Sequence, residues 1–180
     1  HIIPDNLPDF TKKFGYEGFV RLDKKSKTEA NMILFNENFR TINCNCWNPQ
    51  VRTSEMKTSN IDVQVISPIP IMFSYWAEAK DALEQSQFIN DFISDVCIKY
   101  PKKFIGLGTI PMQSIDYSLK ELARCKNELN LQGIEMGSNI NEQNLNEEKF
   151  YDIFSACQDL SMSVFIHPWQ MMGMSKMKKY

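Results

Sequence analysis

From Asp62 onward the chain alternates short apolar runs with amphipathic stretches, and this alternation restricts the fold more than any other feature. Asp62–Ser67, Phe104–Ile110, Gly133–Gly137 and Met162–His167 read as buried strands. Between them, Lys80–Tyr100, Asp116–Leu129 and Asn146–Leu160 read as helices; in the first, Leu83, Phe88, Phe92 and Val96 recur near helical spacing. Strands joined by helix-length connections pair in parallel, because the connection returns the chain to the same end of the sheet. The last three strands begin about 30 residues apart, the size of one βα repeat. That even spacing, without a G-x-G-x-x-G turn, favours a (β/α)8 barrel over a dinucleotide-binding sheet. A complete barrel takes about 250 residues. This chain has 180. The expectation is therefore an α/β fold of TIM (β/α)8 type, incomplete at four strands. A flavodoxin-like open sheet would need a fifth strand that the N-terminal region does not clearly supply.

Residues 4–48 are irregular. Gly18–Leu22, Ala30–Phe35 and Asn38–Ile42 suggest a small antiparallel β insertion, with a hairpin turn at Asn36–Asn38. A helix is expected over Pro49–Ser59, capped by Asn48 with proline at its first position. The organisation that follows is one partial barrel domain over 1–180, with the insertion at 4–48 and the βα units at 49–180.

Twenty basic against 22 acidic residues give a net charge of −2, which offers nucleic acid or an anionic membrane no electrostatic foothold. No apolar run approaches the roughly 18–20 residues that span a bilayer, and the N-terminus lacks a signal-peptide pattern. A cytosolic protein without nucleic-acid or membrane partners is expected. The five cysteines are odd in number and mostly far apart, so reduced thiols are expected. Cys44 and Cys46 alone lack the further soft ligands of a metal site.

Few residues could carry chemistry. His167 closes a strand at its carboxyl end, where parallel βα folds gather their active sites, and neutral imidazole is the commonest protein ligand for zinc. A lone histidine is still more often structural. His1 by itself says nothing. Arg40 is either a solvated surface residue or a carboxylate clamp. The run Ser67–Trp76, with two prolines and three aromatics, is either a pocket wall or a packing element. Met171, Met172, Met174 and Met177 suit either a flexible lid or core filler.

Taken together, His1–Pro4, Lys13–Tyr16, Phe39–Arg40, Asn45–Trp47, Pro70–Ala77, Phe104–Gln113 and Phe165–Trp169 resemble one family. It is the 2-amino-3-carboxymuconate-6-semialdehyde decarboxylase family of the metal-dependent amidohydrolase superfamily. The resemblance runs over the whole chain. It implies a zinc enzyme of tryptophan–kynurenine catabolism that decarboxylates a small dicarboxylate semialdehyde and so diverts flux from quinolinate and NAD synthesis. By the same resemblance, His1 and His167 are metal ligands and Arg40 binds a substrate carboxylate. The four strands become strands two to five of the barrel. A homodimer is implied for the full-length protein.

The family's remaining metal ligands and its acid/base histidine have no counterpart here, so no catalytic residue is assigned within this chain. An N-terminal portion of a longer enzyme is expected, binding zinc weakly and inactive alone. Two alternatives remain: a hydrolase of the same superfamily, disfavoured because Gly133–Gly137 lacks the bridging lysine of many binuclear hydrolases, and an inactive truncated fragment.

Overall fold

The computed structural model describes residues 1–170. The methionines at 171, 172, 174 and 177 lie outside the described residues.

The chain enters at the centre of the molecule. The Ile2 N–H donates to Ser67 O at 2.8 Å and the Ile3 N–H to Cys46 O at 2.9 Å, and both isoleucines are fully buried. Helix α1 (Phe10–Phe14) is a single short turn and a half, closed by Asp9 accepting from the Lys12 N–H and by Gly15 at φ 82°. Strands β1 (Arg21–Lys24), β2 (Glu29–Leu34) and β3 (Glu37–Asn43) form the antiparallel insertion, in the order β1-β2-β3. The β2–β3 turn falls one residue earlier than the sequence suggests. Phe35 and Asn36 hold φ of 48° and 62°, the pair of positive values a tight hairpin requires, and Glu37 already belongs to β3.

Cys44–Cys46 form a 3-10 turn leading to α2 (Pro49–Thr58), where the Asn48 side chain accepts from the N–H groups of Gln50 and Val51. Then follow β4 (Gln64–Ile66), α3 (Ala79–Lys99), β5 (Phe104–Gly108), α4 (Ile115–Asn127) and β6 (Gly133–Gly137). A two-residue ribbon, β7 (Asn139–Ile140) with β8 (Gln143–Asn144), precedes α5 (Tyr151–Asp159) and β9 (Ser163–His167). The expected helix from Asn146 starts later, because Glu148–Phe150 turn as a 3-10 helix first.

Strands β4-β5-β6-β9 are all parallel and adjacent in that order, an incomplete α/β barrel as the repeat spacing implies. Helices cover one face: Ile66, Ile89, Ile93, Leu122, Ile134, Met136 and Ile153 are fully buried there. Ile89 and Ile93 show that the core stripe of α3 lies beside the one expected from Leu83, Phe88 and Phe92, which are only partly buried. The stripe is hard to read because Asn90 and Ser94 share it. Asn90 donates to Thr109 O and Glu121 and accepts from the Thr109 N–H, while Ser94 donates to Leu129 O. Buried Glu121 is in turn paired with Arg124. On the opposite sheet face, Val65 and Phe165 stay about half exposed.

Candidate metal centre

Three separate stretches deliver donor groups to the carboxyl end of this sheet. Ile2 bridges to Pro68 in parallel, which sets His1 just past the end of β4. His167 closes β9, and Pro168, having no N–H to donate, ends the ladder there. Between them runs β6, in register with β9 so that Glu135 lies opposite Phe165 and Gly137 opposite His167. The two imidazole rings face each other edge-on, centroids 5.0 Å apart. The Glu135 carboxylate lies beneath, with Oε1 3.6 Å from His1 Nδ1. One ligand atom from each of His1, Glu135 and His167 falls within 4.8 Å of the others, and among the described residues this is the cluster with metal-binding chemistry. Cys44 and Cys46 have no part in it.

The imidazoles are oriented by backbone. His1 Nδ1 is 2.9 Å from Pro68 O, and His167 Nδ1 is 2.7 Å from Pro168 O. A carbonyl oxygen only accepts, so each Nδ1 carries a hydrogen, which leaves Nε2 as the nitrogen through which a neutral ring would ligate. Arg52, from α2, braces the arrangement: its guanidinium donates to His1 O at 2.6 Å, to Asn45 O at 3.0 Å and to Gln64 Oε1 at 3.4 Å.

Glu135 is fully buried, and neither carboxylate oxygen meets a hydrogen-bond partner among the described residues. Burial pushes its carboxyl up to about 7, with the neighbouring Ser67 hydroxyl acting weakly the other way. A buried acid without a donor, facing two imidazoles with free lone pairs, fits a divalent cation: N and O donors of this kind suit zinc and its first-row neighbours. The sequence alone did not single out Glu135. Its signal was an acid in the middle of a strand otherwise made of glycine and apolar residues.

Arg40 stands on β3, exposed, with its guanidinium carbon 5.7 Å from the Phe39 ring centroid. It shares with His1, Phe39, Arg52 and Glu55 a cavity of about 400 Å³, of the size that holds small ligands. The Ser67–Trp76 run serves mainly as framework. Phe73 stacks on Tyr75 at 5.4 Å and meets Trp169 edge-on at 5.6 Å, and the Tyr75 hydroxyl accepts from the Gly137 N–H. Of that run only Ile69 reaches the cavity.

Residues 42–177 match the family model described as Amidohydrolase. The chain belongs to the amidohydrolase family. This amidohydrolase is 46% identical over 180 residues to the 2-amino-3-carboxymuconate-6-semialdehyde decarboxylase of Dictyostelium discoideum, matching all of the chain and 50% of the relative. To the protein of that name from Caenorhabditis elegans it is 30% identical, covering 57% of it. It thus spans about half the length of the curated relatives it matches. Among solved structures it superposes on 5-carboxyvanillate decarboxylase from Novosphingobium aromaticivorans, complexed with manganese and 4-hydroxy-3-methoxy-5-nitrobenzoic acid. There the TM-score is 0.67 at 27% identity, over 74% of this chain and 40% of that one.

Proposed function

We propose that this amidohydrolase supplies the metal-binding and carboxylate-binding half of a zinc-dependent decarboxylase. The proposed substrate is 2-amino-3-carboxymuconate 6-semialdehyde, in tryptophan–kynurenine breakdown. The observation that carries the reading is the convergence of His1 and His167, 5.0 Å apart at the mouth of the sheet, in a chain 46% identical to a relative bearing that activity's name. His1 and His167 would hold the ion through Nε2. When bound, a divalent cation supplies Lewis-acid charge where negative charge gathers.

Substrate binding and orientation fall to the chain's own side chains. Arg40 offers a planar fork that takes a carboxylate bidentately. It lines the cavity that also contains His1, so a dicarboxylate held at Arg40 has its unsaturated chain directed at the centre, an entropic contribution to rate. Phe39 gives that chain an apolar wall.

In the natural protein carrying this chain, Arg40→Ala should raise KM roughly ten- to hundredfold, as expected for losing a charged hydrogen-bond pair. Stability should move by less than about 0.5 kcal/mol, because Arg40 is exposed. Chelation should abolish carbon dioxide release and zinc should restore it. Substrate consumed without carbon dioxide, or an unchanged KM and kcat in the variant, would remove the assignment.

A further inference from the structure

We infer that Glu135 is itself a ligand of the cation, so that this chain contributes two imidazoles and one carboxylate to the centre. The inference rests on the reading of His1 and His167 as ligands and adds to it a residue from the middle of β6. Four observations support it. First, the side chain is completely buried and neither oxygen completes a hydrogen bond among the described residues, the Ser67 hydroxyl being the polar side chain beside it. An ionised carboxylate does not stay in such a place without a positive partner.

Second, the ion-pair partner it meets is His1. That contact, at 3.6 Å, lies beyond hydrogen-bonding reach, and His1 Nδ1 is already engaged by Pro68 O at 2.9 Å. Third, Arg52, the guanidinium beside His1, is committed to His1 O, Asn45 O and Gln64. Fourth, the spacing is right. Two ligands each about 2.1 Å from one ion are at most about 4.2 Å apart. One ligand atom from each of the three residues lies within 4.8 Å of the others, close to that limit.

A carboxylate beside the two imidazoles adds a hard oxygen and a negative charge. The centre then accepts oxygen-preferring divalent ions such as manganese more readily than the two imidazoles alone would. Glu135→Gln keeps the shape and removes the charge, so the fold is expected to persist, as circular dichroism and melting would show.

The test uses the natural protein carrying this chain, stripped of metal and titrated with Mn2+ and Zn2+ against a chelator, then loaded with Co2+ for its visible ligand-field spectrum. Removing an inner ligand costs at least the tenfold typical of outer-shell changes, so the Gln variant should bind Mn2+ at least about tenfold more weakly. Its Co2+ bands should also shift in position and intensity. Unchanged affinity and spectrum would overturn the assignment. So would weakened affinity with an unchanged Co2+ spectrum, because Glu135 would then act from outside the sphere by orienting His1. If the unaltered protein bound no ion at all, or His167→Ala bound as tightly as it does, the reading of the whole centre would fall, and Glu135 with it.

Discussion

A single methyl group decides where His167 can stand. A Cβ placed at Gly133 would lie 2.3 Å from Ser163 O and 2.9 Å from Leu107 Cδ2. The first of these is backbone and cannot swing away. Gly133→Ala must therefore push β9 off β6, and His167 sits four residues along β9. The expected cost is about 1–3 kcal/mol, read as a lower urea midpoint. The displaced imidazole should also weaken metal binding; a variant with native stability and native affinity would refute this coupling. Single residues also differ in how far the sequence discloses their part in the centre. The place of His167 at the carboxyl end of a strand is legible from the alternation of strands and helices, while a ligand role for it and for His1 is what the resemblance implies. The part of Glu135 is not legible, because in the sequence that strand is read only for its lack of a bridging lysine, and a lone acid matches no ligand pattern. Yet glutamate is almost never fully buried without a partner. An acid amid Gly133, Ile134, Met136 and Gly137 already posed the question that the folded carboxylate answers.

Between residues and barrel, the short elements hold the centre's parts together, and they are the least legible. Helix α1 spans five residues, too few to show a period, so only its caps Asp9 and Gly15 mark it in the sequence. The ribbon of β7 and β8 is two residues a side and has no alternation to detect. Helix α2 is legible because Asn48 and Pro49 announce it. Asn48→Ala should cost about 1 kcal/mol in chemical denaturation, and since α2 carries Arg52, the brace on His1 O should loosen with it. The insertion is tied to the barrel at Tyr16, whose hydroxyl donates to Asp81 Oδ2 at 2.8 Å and accepts from the Glu78 N–H. Burial first, then the Asp81 bond, pushes this phenol up to about 12. An unfolded tyrosine ionises near 10. The folded state thus retains a proton that the unfolded state loses. The contact's contribution is complete below about pH 10 and is lost as pH rises towards 12. An absorbance titration near 295 nm, compared with Tyr16→Phe, should assign one phenolate to the upper end; its appearance near 10 would contradict the contact.

The molecule as a whole leaves a face that its described residues do not cover. Its four parallel strands have helices on one side only, and on the other Val65, Ile105 and Phe165 are 58%, 40% and 47% exposed. In a closed barrel that side is the packed interior. Strands β4 and β9 are also open edges of the parallel sheet among the described residues, and Ile166, on the outward side of β9, is 49% exposed. Unpaired N–H and C=O groups beside bare apolar side chains are a template for further strands. The 180-residue chain expressed by itself should therefore self-associate, giving light-scattering masses that grow with concentration. Phe165→Lys places a charge in the middle of that face, away from the helix-covered core, and should shift the distribution towards monomer without lowering the melting temperature of what stays folded. A chain that remains monomeric at high concentration, or a lysine variant that associates equally, would show that the uncovered face is not what drives association. Solvent access to the centre follows from the same geometry: Phe165 and His167 share one face of β9, so whatever covers Phe165 also dries the ion's surroundings. Metal affinity should accordingly be weaker in the isolated chain than in the natural protein, and a chelator competition run on both measures the difference.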